Sequence, residues 1–274
     1  MTDIILEQIM QALRLSPEME ALQRIQTAHR LNLIDLWNIA PGSRVLEVGC
    51  GQGDTTAALA AVVGENGFVH AIDPAPGDYG APFTLAEARK VLVSSLLGSR
   101  IRMDFDCSVF DLPEDTPVFD CAVLCHCLWY FASHDELLAI LKKLRPLCRR
   151  LCIAEWDIRA VSPGQEAHRR AALIQATCAA FVESGGNIRT LFSPDEIVSA
   201  VEKAGFAVGM TRQIDSPDLQ DGSWEVWNAK GFCPPQIEKS DMPDKLKRLL
   251  TMELSQLDSL SGREPLPVFA LTAE

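Results

Sequence analysis

Residues 45–53 read VLEVGCGQG, an apolar run with Glu47 inside it and glycines at Gly49, Gly51 and Gly53. Glycine-rich turns of this kind receive nucleotides, because a backbone without Cβ lets a ligand approach closely. A dinucleotide turn needs glycine at its first, third and sixth positions. Counted from Gly49 the sixth position is Asp54, and counted from Gly51 it is Thr56. The helix-packing glycine is missing in both registers, which removes a nicotinamide cofactor. No Gly-Lys-Ser/Thr follows, which removes a P-loop. The pattern that remains is E-x-G-x-G-x-G, and a second acid, Asp73, closes the next apolar run, 20 residues after Gly53.

This pattern resembles the class I S-adenosylmethionine-dependent methyltransferases. The likeness covers about residues 40–155 and 190–274 by element order, including a late Pro-flanked strand, PLPVFALTA. The stretches GCGQGDTT, DPAPGDYGAPFTL, LWYF, AEW and NIRTLFSP resemble a narrower group of fungal small-molecule methyltransferases. The resemblance implies S-adenosylmethionine as cofactor and S-adenosylhomocysteine as its product. It implies a cofactor site made by Glu47, Gly49, Cys50, Gly51, Gly53, Asp73, Pro74, Ser108 and Cys125. Asp73 would accept from the ribose hydroxyls, and Glu47 would act near the methionine amino group, directly or through water. The donor carries no phosphates, so two acids beside the turn suit its positive charge. The family often has an acid after the third strand for the adenine amine. Here Asp106-Cys107-Ser108 aligns, and the resemblance implies that Asp106 or Ser108 would take that role.

A sulfonium methyl is already activated, so positioning and exclusion of water supply most of the catalysis. A general base helps when the acceptor carries a proton at neutral pH. His126 ends the run CAVLCHCLWYF, next to where the family places the reactive methyl, and imidazole titrates in the right range. Its other reading is a hydrogen-bonded core histidine. Trp129 and Tyr130 form either an aromatic wall for the substrate or the sulfonium, or plain packing. Glu155-Trp156 ends the fifth strand, where a carboxylate beside an indole would hold a cationic amine or simply be a polar strand end. Arg189 would clamp a substrate carboxylate or make a surface ion pair. His168 lies in or beside the cover. His29 and Arg30 either close over the cofactor or form a solvated helix face, the second being preferred. Trp224 and Trp227, which flank Glu225, read as core.

The expected activity is methyl transfer to a small molecule, first as O-methylation in secondary metabolism with His126 as base. The alternatives are N-methylation of an amine held by Glu155, or a protein of this fold that binds the cofactor without methylating.

Composition bounds the partners. The 274 residues carry a formal net charge of −12, and the basic residues are scattered, which disfavours nucleic acid. No run of 18 uninterrupted apolar residues suggests a membrane span. MTDIILEQIMQALRL has early acids and helical spacing, so it reads as an amphipathic helix rather than a secretory signal. Nine cysteines without a CxxC pair fit buried reduced thiols and a cytoplasmic location. Cys121, Cys125 and Cys127 share one face of a strand while His126 faces the other, so no tetrahedral zinc site is expected.

These residues need a scaffold. Apolar runs at 44–48, 68–72, 101–105, 119–127, 151–154, 207–214 and 267–272 alternate with helical stretches. Ser16-Pro17 and the capping boxes at Thr84, Ser133 and Ser193 start helices, and Asp54 is expected to cap the one after the glycines. The alternation predicts an α/β fold: a Rossmann-like, mostly parallel seven-stranded sheet with helices on both faces and a helical cover. One domain of 1–274 is expected. It divides into an N-terminal helical cover (1–40), a cofactor-binding core (41–160), a helical insertion (161–190) and a C-terminal part (191–274) that completes the sheet and carries a second insertion. The family builds its acceptor pocket from such covers, here about 1–40, 160–190 and 230–262.

Overall fold

The computed structural model describes residues 2–81, 83–182 and 186–274. Two N-terminal helices, α1 (Thr2–Leu13) and α2 (Pro17–Leu36), precede the sheet. Strand β1 (Arg44–Val48) leads through the glycine turn into α3 (Asp54–Val63), then β2 (Phe68–Ile72), α4 (Leu85–Val93) and β3 (Ile101–Asp104). After β4 (Phe119–Cys125) come α5 (His134–Leu144), β5 (Cys148–Trp156), α6 (Glu166–Ala179), α7 (Pro194–Lys203) and β6 (Val208–Ile214). Helices α8 (Asp221–Lys239) and α9 (Asp244–Gln256) precede the last strand, β7 (Val268–Ala273).

The seven strands lie in the order β3-β2-β1-β4-β5-β7-β6. Strands β1 to β5 pair in parallel, and β7 runs antiparallel between β5 and β6. Each parallel pair needs a crossover, and the intervening helices supply it. Strand order reverses between β1 and β4, which pair from Val45 against Cys121. Ligands bind at the carboxyl ends of strands beside such a reversal. The glycine turn, Asp73, His126 and Trp156 all fall there.

Several local signals act as read. Thr84 and Ser193 form full capping boxes, and Pro17 starts α2 at its first turn. Asp54 does not cap α3. The N-cap is Gly53, with φ +92, and Asp54 is the first helical residue. The chain must turn left-handed to leave the strand, and glycine does so without a Cβ penalty. Asp54 instead accepts a 2.8 Å hydrogen bond from the Gln23 side chain on α2.

Two hydrophobic clusters form. The main one joins the sheet to α1–α3, α5 and α7. The second lies between α6, α8 and α9, and is built on Ala171, Ile174, Val226, Ala229, Ile237 and Leu250. Helix α8 itself is not signalled by sequence, because Pro234 and Pro235 stand inside it. Its buried face runs Val226, Ala229, Cys233, Ile237, which turns Trp224 and Trp227 outward, at 43% and 67% exposure. The expectation that these two tryptophans are core is therefore wrong. Within the helical insertion expected at 161–190, helix α6 covers Glu166–Ala179, and residues 183–185 lie outside the described residues. Among the described residues no helix is long and apolar enough to cross a membrane.

Candidate active site

The turn after β1 is held by its neighbour strand. Gly49 and Cys50 N–H donate to the Ile72 carbonyl at 2.9 and 3.2 Å, and Gly51 N–H donates to Asp73 Oδ2 at 2.8 Å. Ala75 N–H donates to Asp73 Oδ1 at 2.9 Å. Asp73 thus ties the glycine turn to the β2 loop and keeps one lone pair on each oxygen for a further donor. Pro74 beside it is exposed, and Cys50 is buried under the turn.

Gly49, Gly51 and Gly53 all have positive φ. A Cβ on Gly49 would stand 2.7 Å from the Cys127 Cβ, so this glycine lets two strand ends meet. A Cβ on Gly51 would meet nothing within 4 Å, so that position opens onto free space. The turn therefore fits a ligand laid across Gly51 with its hydroxyls toward Asp73, as S-adenosylmethionine requires. Gly51→Ala is expected to lower stability by only about 1–2 kcal/mol, the cost of a left-handed alanine. Its methyl would fill the ligand's space, so calorimetry with S-adenosylmethionine should show donor affinity falling much more than urea unfolding shows stability falling.

Glu47 is buried and accepts a 2.6 Å bond from the Thr56 hydroxyl. Burial pushes its pKa from 4.5 up to about 8, against the Thr56 bond and the Arg30 charge that pull it down. An unfolded chain releases this proton near 4.5 while the folded chain keeps it to about 8. Glu47's contribution to stability is therefore fully present below pH 4.5 and is lost as pH rises to about 8. Glu47→Gln removes that dependence. Urea midpoints should show the variant gaining roughly 2–3 kcal/mol on the wild type between about pH 6 and 9, at 1.36 kcal/mol per pH unit.

Of the two residues read for the adenine amine, Ser108 is engaged in its own turn. Its hydroxyl donates to Asp111 at 2.6 Å and accepts from Phe110 N–H at 3.2 Å. Asp106 is exposed, with φ +51. The Cys125 thiol is buried at the end of β4, and burial pushes its pKa up to about 12.

His126 sits one residue past β4 with φ +53, and its N–H donates to the Ala154 carbonyl at 2.8 Å. Left-handed backbone at a non-glycine residue is costly and concentrates at functional sites. The turn aims the imidazole between three groups. Nδ1 faces Glu155 Oε1 at 3.7 Å, Nε2 meets His29 Nε2 at 2.9 Å, and the ring packs on Trp156 at 4.5 Å between centroids.

Glu155 is turned inward, at 1% exposure. It accepts backbone N–H bonds from Leu128 at 2.7 Å, Trp129 at 3.4 Å and Trp156 at 2.9 Å. It shapes the turn after His126 and is not open to an amine ligand. Trp129 and Trp156 are buried, whereas Tyr130 is 42% exposed beside them. Arg189 is exposed and makes no ion pair among the described residues. Its N–H and that of Thr190 donate to the Trp129 carbonyl at 2.8 and 3.2 Å, so this segment braces the aromatic wall through backbone. His168 is fully buried, accepts from Leu266 N–H at 2.9 Å through Nδ1, and packs edge-on against Trp129 and Trp156. Burial, then the nearby His126, pushes its pKa down to about 3.

His29 overturns its preferred reading. It is not on a solvated face: it is 4% exposed, with Nδ1 2.8 Å from the Ser216 hydroxyl. Burial, followed by His126 and Arg30, pushes its pKa down to about 2. One signal was present in the sequence. His29 falls on the stripe Leu22, Ile25, Gln26, His29, Leu33, Leu36, which is the inward face of α2. Gln26 on the same stripe donates to Gln220 and Asp221, each at 3.3 Å, so α2 meets the start of α8 directly above the strand ends.

Comparison with known proteins agrees with this architecture. The methyltransferase-domain family matches residues 21–209. Methyltransferase phomM' of the fungus Diaporthe leptostromiformis is 31% identical over 225 residues, covering 66% of this chain and 58% of that protein. The match thus spans little more than half the length of this curated relative. A cyclopropane-fatty-acyl-phospholipid synthase-like protein from Lactobacillus casei is 33% identical, covering 99% of this chain and 97% of that one, with a TM-score of 0.88. Magnesium protoporphyrin IX methyltransferase from Synechocystis, crystallised with S-adenosylhomocysteine, shares the fold at a TM-score of 0.51 and 12% identity, over 99% of this chain and 93% of that one. The chain belongs to the methyltransferase-domain family, with the fold of the S-adenosylmethionine-dependent methyltransferases.

Proposed function

We propose that this protein O-methylates a small molecule in secondary metabolism, with His126 as the group on which the acceptor's proton comes to rest. The observation that carries this reading is the placement of His126 beyond β4, held between the Glu155 carboxylate and a second imidazole. An imidazole that gains a proton there has the His29 lone pair at Nε2 and the Glu155 carboxylate charge 3.7 Å from Nδ1. Glu47, Gly49, Cys50, Gly51, Gly53, Asp73 and Pro74 would hold S-adenosylmethionine, which supplies a methyl group already activated on sulfur. The chain's own work is then to orient the acceptor, exclude water and take the proton. Trp129, Tyr130 and Trp156 supply an apolar wall for that purpose. N-methylation through Glu155 gains no support, because that carboxylate is filled by backbone donors.

Incubation with methyl-labelled S-adenosylmethionine and a fungal metabolite extract tests the proposal. A labelled, base-stable ether product and one equivalent of S-adenosylhomocysteine are expected. Donor binding by calorimetry without turnover on any extract would overturn methyl transfer and favour a binding role.

A further inference from the structure

We propose that His29 and His126 act as one proton acceptor, a relay running from the Ser216 hydroxyl through both imidazoles to the face of Glu155. The inference rests on the O-methylation reading and adds His29, on the N-terminal helix, as the member of the proton path that precedes His126.

The geometry fixes the proton count. Two ring nitrogens 2.9 Å apart need one proton between them, since two lone pairs or two N–H groups would repel. Two neutral arrangements satisfy the two short contacts, and one of them also avoids turning the unpartnered His126 Nδ1 lone pair toward the Glu155 carboxylate 3.7 Å away. In that one, Ser216 O–H donates to His29 Nδ1, His29 Nε2–H donates to His126 Nε2, and His126 Nδ1–H faces the Glu155 carboxylate. In that state His126 has no free lone pair for a substrate, because His29 occupies Nε2. The proton must therefore pass through His29.

The step balances. As the acceptor oxygen forms its bond to the methyl carbon, its O–H bond breaks and the C–S pair stays on sulfur. The released proton reaches His29 Nδ1 by way of Ser216. The proton on His29 Nε2 moves to His126 Nε2. His29 ends neutral with its proton on Nδ1, donating to Ser216, and His126 ends as imidazolium, donating to His29 and facing Glu155. After product leaves, the same path returns the proton to water.

The surroundings favour His126 as the resting place. His29 faces Arg30 on its own helix and is 4% exposed, so charge on it is disfavoured. His126 faces Glu155 from β5, with buried His168 of α6 nearby, while Cys125 and Cys127 alternate to the other side of the strand end, the Cys127 thiol bonding to the Val48 carbonyl. Asp221 of α8 lies against α2 through Gln26.

The test is an NMR titration of protein labelled with ¹⁵N-histidine, from about pH 9 down to 5, the range in which imidazole titrates. Five histidines are present, and H29Q and H126N variants assign the two signals. The relay predicts that His29 is an Nε2–H tautomer at high pH. It switches to the Nδ1–H tautomer in the same step that charges His126, without becoming charged itself. A His29 that keeps one tautomer through the His126 titration, or that charges independently, overturns the relay. Where H126N does not fold, the wild type and S216A carry the same comparison, since S216A keeps both rings. In turnover, H29Q still offers a donor to His126 but cannot pass a proton on, so kcat should fall about 10²-fold with KM little changed. Methyl transfer by a wild type whose His29 never switches sinks the relay and leaves the O-methylation reading standing.

Discussion

A His126→Asn variant is expected to form S-adenosylhomocysteine about 10²–10⁴-fold more slowly than the wild type, the range for loss of a positioned base. Donor affinity should change far less, because the proposed donor site, the glycine turn and Asp73, is held together by bonds that do not involve His126. Asparagine is the informative replacement. The backbone at 126 is left-handed, with φ +53, and asparagine tolerates that region better than alanine. Alanine would add backbone strain to the loss of the ring and mix the two effects. Asparagine keeps a polar group near Glu155 and His29 but cannot take a proton. Single-turnover rates with a labelled donor, alongside calorimetric donor affinity, separate chemistry from binding. A rate within a few-fold of the wild type would leave positioning alone as the source of catalysis.

Glu155→Ala is expected to cost about 3–5 kcal/mol in stability, the scale set when one partner of a buried charged contact is removed. The carboxylate is 1% exposed and satisfies the N–H groups of Leu128 and Trp156 at 2.7 and 2.9 Å. Each orphaned buried donor costs roughly 1–3 kcal/mol, so two account for most of the loss. The turn that follows β4 would relax with them, and His126 with it. Glu155→Gln should be milder, because one carboxamide oxygen still serves one of the two donors. Urea unfolding of the three proteins gives the order. A Glu155→Ala variant as stable as the wild type would mean that water replaces the carboxylate, and that the turn is held by its other bonds.

The glycine turn and its tie to Asp73 were legible because their signal is local. VLEVGCGQG shows its glycine spacing within nine residues, and Asp73 follows at a fixed distance along one β–α–β unit. The mostly parallel seven-stranded sheet could be read from the alternation of strands and helices. His126 was visible as a strand-end histidine, but its two partners were not. Glu155 is 29 residues on and could face either way, and only the β4–β5 register turns it inward. His29 is 97 residues away, and its contact depends on how α2 crosses the sheet. Asp54 was misread as a cap because the sequence does not display a backbone angle. Helix α8 was missed because Pro234-Pro235 breaks the usual pattern, and Trp224 and Trp227 then had no helix face to be assigned to.

The separate apolar cluster between α6, α8 and α9 has a bearing on how such a protein changes over time. These three helices bury Ile174, Val226, Ile237 and Leu250 largely against one another and not against the sheet. Part of their stability is therefore their own, and they can open as a unit at lower cost than the strands. The glycine turn and Asp73 lie in the main cluster's part of the fold, so a change packed into this second cluster leaves them untouched.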